Sequence, residues 1–365
     1  MTAGPARAGA AGCAALGAAM LAAALAFGSP SLYLPAVALV ALGVGAPAWV
    51  ALASAGAGLD RRLGPATVEE EHAWPVVLAH RRGLVPPPGG DLVEPLLGRP
   101  LPLGRRAPAA GVRVEVRFER RGRRELEPAR LTIRDPLGLA ERRLATEPGS
   151  VLVLPRVEPV TGPEGAGAGA LASRAARPLA GAAEVEIDGL RPYRPGSPAA
   201  RIHWPTVARR GEVLERRLIA DADSRPLVVL DARRPASPDA LDRAVRAAAS
   251  LTVHLARAGG CALLLPGDRR AADLDPELRG WPSLHARLAL AEPDDRPPTA
   301  ARIERTGAVL WVTANPSAAP VGLSRAAAGE RWLVVPADGP VPGAEFAVAG
   351  CAGRRIGSRT GRRAA

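Results

Sequence analysis

Residues 226–260 read PLVVLDARRPASPDALDRAVRAAASLTVHLARAGG, and this stretch decides the fold of the C-terminal half. Residues 226–231 form a continuous apolar run ending in Asp231, the pattern of a parallel strand buried on both faces. From 238 to 258 the apolar positions Leu241, Val245, Ala248, Leu251 and Leu255 recur at helical spacing. Gly259-Gly260 then supplies a C-cap. The alternation continues downstream: 261–265 reads as a second strand, 284–290 as a helix, and 308–312 and 332–335 as two more strands. Strands alternating with helices predict an open α/β sheet over residues 226–350.

At the other end, residues 8–27 carry no charge, a break follows at Gly28-Ser29-Pro30-Ser31, and a second uncharged run covers 32–57. Each run is about long enough for a bilayer core, which needs roughly 20 residues. Residues 1–60 therefore read as a transmembrane helical hairpin, with Pro35 and Pro47 as tolerable interruptions. Arg7 precedes the first run and Arg61-Arg62 follow the second, while the turn has no basic residue. That asymmetry places both ends, and the large remainder, in the cytoplasm. The rival reading is a cleaved signal peptide followed by a single anchor, which puts the large region outside.

Residues 61–163 read as β-rich. Positions 112–119 alternate apolar and charged side chains, 129–134 repeat the alternation, and 151–154 form a short apolar run. Arg134-Asp135-Pro136-Leu137-Gly138-Leu139 carries turn punctuation between them. Several short strands in about 100 residues predict a small β-sandwich. Residues 164–185 are Gly/Ala-rich and read as a linker, and Gly165, Gly167 and Gly169 lack the offset and flanking elements of a dinucleotide fingerprint. Residues 351–365, with Arg354, Arg355, Arg359, Arg362 and Arg363, read as a basic tail.

Composition excludes several chemistries. The chain has 365 residues, 47% hydrophobic and 23% charged, with a net charge of +12. All 48 basic residues are arginine. Without lysine there is no Walker A site, no protein-kinase phosphate lysine and no Schiff base. Cys13, Cys261 and Cys351 are scattered and form neither a zinc pattern nor a disulfide framework, and His72, His80, His254 and His285 lack metal-type spacing. No cofactor is indicated.

Residues 188–218 read DGLRPYRPGSPAARIHWPTVARRGEVLERRL, a segment dense in Pro, Gly and Arg that shows neither periodicity over most of its length. Residues 186–225 form a unit of their own. Arg191, Arg194, Arg201, Arg209 and Arg210, with Tyr193 and Trp204, read as a network tying the segment to the sheet or as a surface for a protein partner. A nucleic-acid surface is the least favoured of the three.

With those pieces in order, nearly the whole chain resembles the bacterial domain-of-unknown-function-58 family. The likeness rests on Arg134–Leu139 as quoted, on Val151-Leu152-Val153-Leu154-Pro155-Arg156, and on Leu190, Arg191, Tyr193, Gly196, Arg201, Ile202, His203, Trp204, Ala208 and Arg209. The family's acid after the glycine is Ser197 here, and its lysine after the tryptophan is Pro205. The resemblance implies a von Willebrand factor type A-like α/β domain anchored in the bacterial cell membrane. It also implies a MoxR-type AAA ATPase as partner in a chaperone-like or envelope-associated system.

Type A domains often hold Mg²⁺ through Asp-x-Ser-x-Ser after the first strand. Here that run is Asp231-Ala232-Arg233-Arg234-Pro235, and the later loop Thr313-Ala314-Asn315 adds no carboxylate. Asp231 is therefore expected to mark a degenerate metal position, engaged in a helix cap or a salt bridge. The resulting expectation is a non-enzymatic interaction or scaffold protein, with Arg191, Tyr193, Gly196, Arg201, Ile202, His203, Trp204 and Arg209 as signature or partner-binding residues. The alternative is a hydrolase that uses His203 with an unidentified nucleophile.

Overall fold

The structure, a computed structural model, describes residues 5–103, 112–162, 168–175, 187–192, 203–211, 213–218, 225–298, 308–317, 320, 323, 330–339 and 341–356. Contacts divide the chain into two units, Met1–Glu119 with Arg123–Leu152, and Arg120–Gly122 with Val153–Ala365. It is a mixed α/β protein with two N-terminal apolar helices and several sheets.

The first unit opens with α1 (Pro5–Phe27) and α2 (Pro30–Ser54), both long and apolar enough to cross a membrane. Gly28 ends α1 in the left-handed region at φ +59, and the Ser29 amide donates back to the Ala24 carbonyl at 3.0 Å. This is the ordinary glycine stop of a helix. Pro30 then opens α2, where its missing N–H removes no helical bond.

The two helices meet along a seam of small residues. Ala10, Gly17 and Ala24 are buried on α1, and Ala36, Gly43, Val50 and Ala53 on α2. The spacing of seven from Ala10 to Ala24 and from Ala36 to Val50, with Ala53 three residues on, keeps each row on one side of its helix. A Cβ added at Gly43 would lie 2.6 Å from the Ala14 amide nitrogen, and one at Gly17 2.8 Å from that of Val40. Backbone thus rests on backbone, as small residues permit. Leu16, Leu25, Phe27, Leu34, Val37 and Val44 face outward, so the pair is apolar around its rim as well.

Ten strands follow: β1 (Gly58–Leu63), β2 (Thr67–Glu69), β3 (Trp74–Arg81), β4 (Gly90–Val93), β5 (Leu101–Pro102), β6 (Val112–Val116), β7 (Gly122–Leu126), β8 (Arg130–Arg134), β9 (Glu141–Ala145) and β10 (Gly149–Leu154). They form three sheets, ordered β1-β3-β6, β2-β10-β7 and β5-β4-β8-β9. Trp74, Val76 and Leu78 alternate inward on β3, and Leu131 and Ile133 on β8. The Trp74 indole donates to the Pro65 carbonyl at 2.9 Å and packs edgewise on Phe118.

Two buried acids hold this unit's loops. Glu94 accepts from the Arg61 guanidinium at 2.7 Å, with side-chain exposures of 2% for Arg61 and 0% for Glu94. Arg61 also donates to the Glu127 carbonyl at 2.8 Å. Asp135 organises the β8–β9 turn: one carboxylate oxygen accepts from the Ala140 amide at 2.5 Å and the other from Leu137 at 2.9 Å. Gly138 stands at φ +73, which a side chain would strain, so the Arg134–Leu139 motif is a turn with its acid folded inward.

In the second unit, α3 (Ala168–Ala175) packs on α5 through buried Leu171, Ala172 and Ala175. A helix thus occupies the middle of the stretch read above as linker, because Leu171 with small neighbours gives one short apolar face. β11 (Ile187–Pro192) pairs antiparallel with β12 (Leu214–Leu218), and α4 (Trp204–Arg210) lies in the connection. There follow β13 (Leu227–Asp231), α5 (Pro238–Gly259), β14 (Cys261–Leu264), β15 (Ala272–Leu274), α6 (Trp281–Ala289), β16 (Ala308–Thr313), β17 (Glu330–Pro336), β18 (Phe346–Val348) and β19 (Cys351–Arg355).

The main sheet runs β15-β14-β13-β16-β17-β19-β18. Its middle four strands are parallel, and the strands added at each side are antiparallel. Val228, Leu230, Leu263, Leu310 and Val312 pack in one cluster with α5, while Leu227, Val229, Leu264, Val309 and Trp311 pack in a second. Helix α5 starts at Ser237, whose hydroxyl accepts from the Ala240 amide at 3.0 Å, with Pro238 in its first turn. At the sheet edge, Thr161 exchanges backbone bonds with Ala347 of β18, at 2.9 and 2.7 Å. The segment read as a basic tail begins instead as β19: Cys351, Ala352 and Gly353 are buried, and Arg354 and Arg355 follow in the same strand. The small residues at its start fit against β17 and β18, which an arginine count does not register.

Two stability predictions follow from these contacts. Replacing Gly43 by Leu should cost about 1–3 kcal/mol through overpacking; Leu34→Ala, on the outer rim, should leave thermal unfolding in detergent nearly unchanged. Glu94→Ala strands the buried Arg61 cation and should cost about 3–5 kcal/mol. The exposed Glu141→Ala control should stay within about 0.5 kcal/mol.

Candidate functional site

The order β14-β13-β16-β17 fixes where a site can form. From β13 the chain enters β14 on one side and later β16 on the other, so the strand order reverses between β13 and β16. Ligands of open α/β sheets bind outside the carboxyl ends of strands at such a point. Here β13 ends in Asp231 and β16 in Thr313, which are partners in register.

Asp231 is 1% exposed, so its charge must be met by protein groups. The Arg233 Nε donates to Oδ1 at 2.8 Å and its Nη2 to Oδ2 at 2.7 Å, a two-pronged ion pair two residues along the chain. The Arg233 backbone amide adds a bond to Oδ1 at 3.1 Å, and the Trp311 indole Nε1 one to Oδ2 at 3.1 Å. The hydrogen bond to Asp231 raises the Arg233 pKa above its ordinary value. The sequence expectation for Asp231 offered a cap or a salt bridge; the geometry is a salt bridge.

These residues do not fit a divalent cation. Both carboxylate oxygens already accept charged or indole donors, and the guanidinium lies where a hard cation would need further oxygens. Among the described residues, no group of three or more His, Cys, Asp or Glu side chains is placed to hold a metal.

The loop after Asp231 is clamped from the neighbouring strand. Asn315 Nδ2 donates to the Arg234 carbonyl at 2.9 Å, its Oδ1 accepts from the Ser317 amide at 2.9 Å, and its own amide donates to Thr313 Oγ1 at 3.1 Å. The Ala236 amide donates to the Ala314 carbonyl, and that of Asp294 to Ala232. Arg234 is held at φ +42, a conformation that non-glycine residues rarely adopt. Its side chain is 86% exposed and approaches the equally exposed Asp295 at 3.8 Å. The result is a fixed loop that displays the Arg234 guanidinium.

The signature residues are only partly in view. Tyr193, Gly196, Arg201 and Ile202 lie outside the described residues, and Arg191 is placed by its backbone alone, opposite Glu215 in the β11–β12 pair. His203 stands at the N-cap position of α4: its amide donates to the Leu214 carbonyl at 2.8 Å, and its Nδ1 lies 2.7 Å from Thr206 Oγ1. Trp204 is 60% exposed and Arg209 is exposed on the same short helix. The described signature residues therefore join α4 to β12, while Asp231 belongs to the carboxyl end of the central strand β13. Sequence reasoning missed Trp311, a partner 80 residues from Asp231, and the clamping role of Asn315. A Trp in the penultimate pair of a buried strand gives no hint that its N–H reaches an acid.

Two of the three thiols are buried and poorly nucleophilic. Burial pushes both Cys261 and Cys351 up to about 12. His285 is likewise structural: it stacks on Trp281, and its Nε2 meets the Pro155 carbonyl at 2.7 Å.

Compared with models of known families, with curated proteins and with solved structures, the chain matches none.

Two measurements check this geometry. Arg233→Ala leaves Asp231 buried without its countercharge and should cost about 3–5 kcal/mol; replacing both by well-packed apolar residues should cost much less, which a double-mutant cycle will show. Maleimide should label neither Cys261 nor Cys351 in the folded protein at neutral pH, and both should react once it is denatured.

Proposed function

We propose that this protein is a membrane-anchored, non-enzymatic docking protein whose α/β domain engages a partner without a bound metal ion. The observation that carries the reading is the Asp231–Arg233 pair. At the place where an open α/β sheet usually binds its ligand, an internal guanidinium neutralises the acid, and the clamped loop presents Arg234 to solvent. Such a surface suits protein recognition, where a rigid loop loses little entropy on binding. The apolar hairpin supplies the anchor, in a two-pass arrangement with the large region cytoplasmic. The likeness of residues 134–139, 151–156 and 190–209 to the domain-of-unknown-function-58 family supports a type A-like domain and a MoxR-type AAA ATPase as partner.

One contact favours the hydrolase reading: His203 Nδ1 faces the Thr206 hydroxyl, a base beside a potential nucleophile. The pair is three residues apart in the first turn of α4, a local side-chain contact, and no carboxylate orients the ring among the described hydrogen bonds. Capture of the protein from detergent-solubilised membranes should bring down an ATPase, and Arg234→Glu should abolish that capture while leaving thermal unfolding unchanged. Absence of any ATPase, with turnover that His203→Ala removes, would overturn the docking reading. A C-terminal reporter active only in the cytoplasm is expected; a periplasm-active reporter contradicts the proposed orientation.

A further inference from the structure

The first unit carries two exposed leucines at the base of the hairpin, on loops rich in Pro and Gly. Leu84 is 74% exposed and Leu137 63%. Both sit where the helices leave the hairpin. The Leu84 amide donates to the Ala55 carbonyl at 3.0 Å, just past the end of α2. Gly83 approaches so closely that an added Cβ would lie 2.0 Å from the Ala53 carbonyl oxygen. On the other helix, a Cβ at Gly9 would touch the Leu139 side chain at 3.6 Å, two residues from Leu137. Strands β8 and β9, which the Leu137 turn connects, pack against α2.

The Leu84 loop also climbs alongside α2. Trp49 Nε1 donates to the Pro86 carbonyl at 3.2 Å. Trp49 precedes the helix end at Ser54 by five residues, which is about 7.5 Å along the axis. With 25 residues, α2 is about 37 Å long. A hydrocarbon core of about 30 Å leaves about 7 Å of that helix for the headgroup zones. Trp49 and the loop bound to it thus stand at the level where indoles gather at membrane surfaces. Exposed Arg81, Arg82, Arg134 and Arg142 flank the two leucines in sequence, and such side chains suit anionic headgroups.

We propose that the loops carrying Leu84 and Leu137 form a membrane-contact rim, seated in the headgroup zone of the bilayer on either side of the hairpin. The inference rests on the membrane reading of the hairpin and adds that the soluble part of the first unit touches lipid directly. The hairpin then serves as more than a tether, because the rim fixes how the first unit stands on the surface.

The test uses the full chain with Cys13→Ala, in which the buried Cys261 and Cys351 remain unlabelled. Leu84→Cys, Leu137→Cys and, as reference, Leu34→Cys on the hairpin are each labelled with an environment-sensitive fluorophore. The labelled proteins are reconstituted into phosphatidylcholine–phosphatidylglycerol vesicles. Lipids spin-labelled near the headgroup should quench the probes at 84 and 137, with a blue shift, and iodide should quench them weakly. Quenching at 34 by lipid, with probes at 84 and 137 open to iodide and untouched by lipid, overturns the rim while leaving the anchor intact. No lipid quenching at any of the three positions overturns the membrane reading and the rim together.

Discussion

The structure of the second unit turns on one constraint: the central strand β13 is buried from Leu227 through Asp231, so the acid at its end must find its countercharge inside the protein. Arg233 supplies it from the same loop, and Trp311 adds a neutral indole hydrogen bond from the neighbouring strand. That arrangement forces the chain to fold back tightly after the strand, which places Arg234 at a positive φ and brings the loop under the Asn315 clamp. The electrostatics of one carboxylate thus shape the loop, and the loop shapes the exposed edge of the sheet. An isolated ionised group in such a place would be costly; a chelated one is tolerated.

The first unit solves a comparable problem with different means. Its helices associate through backbone contact at Gly17 and Gly43, where no side chain could fit. Its small sheets rely on acids turned inward, Glu94 toward Arg61 and Asp135 toward the amides of its own turn. In each case a short loop is fixed by a buried carboxylate, through one oxygen of Glu94 and both oxygens of Asp135. The Arg134–Leu139 motif is then a turn signature in the physical sense: the acid bonds the turn amides and the glycine permits the reversal.

Much of this was legible in the sequence, for identifiable reasons. Strand β13 and helix α5 were readable because burial on both faces leaves an unbroken apolar run, and a buried helix face leaves a 3.6-residue period. The hairpin was readable from two uncharged runs split by Gly28-Ser29-Pro30. Strands such as β1 and β9 were not, because Gly58-Leu59-Asp60-Arg61-Arg62-Leu63 and Glu141-Arg142-Arg143-Leu144-Ala145 are mostly polar and are held by pairing with β3 and β8. Helix α3 hid in Gly/Ala-rich sequence, and β19 hid in front of arginines. At the candidate site, the two arginines that follow Asp231 and Ala232 were visible at once. The indole from Trp311 was not, since nothing local links a strand residue to an acid 80 positions away.

The edges of the main sheet have a consequence of their own. Strands β15 and β18 are three residues long and antiparallel to their neighbours, and Thr161 already uses the backbone groups of Ala347. Among the described residues each edge strand is thus short, and part of the β18 main chain is already used by Thr161. Ladder growth from copy to copy is thereby blunted, as in other sheets protected by short or covered edges. Any self-assembly through this sheet must then proceed through side-chain surfaces, which sequence can tune one residue at a time, rather than through a backbone template that every copy would share.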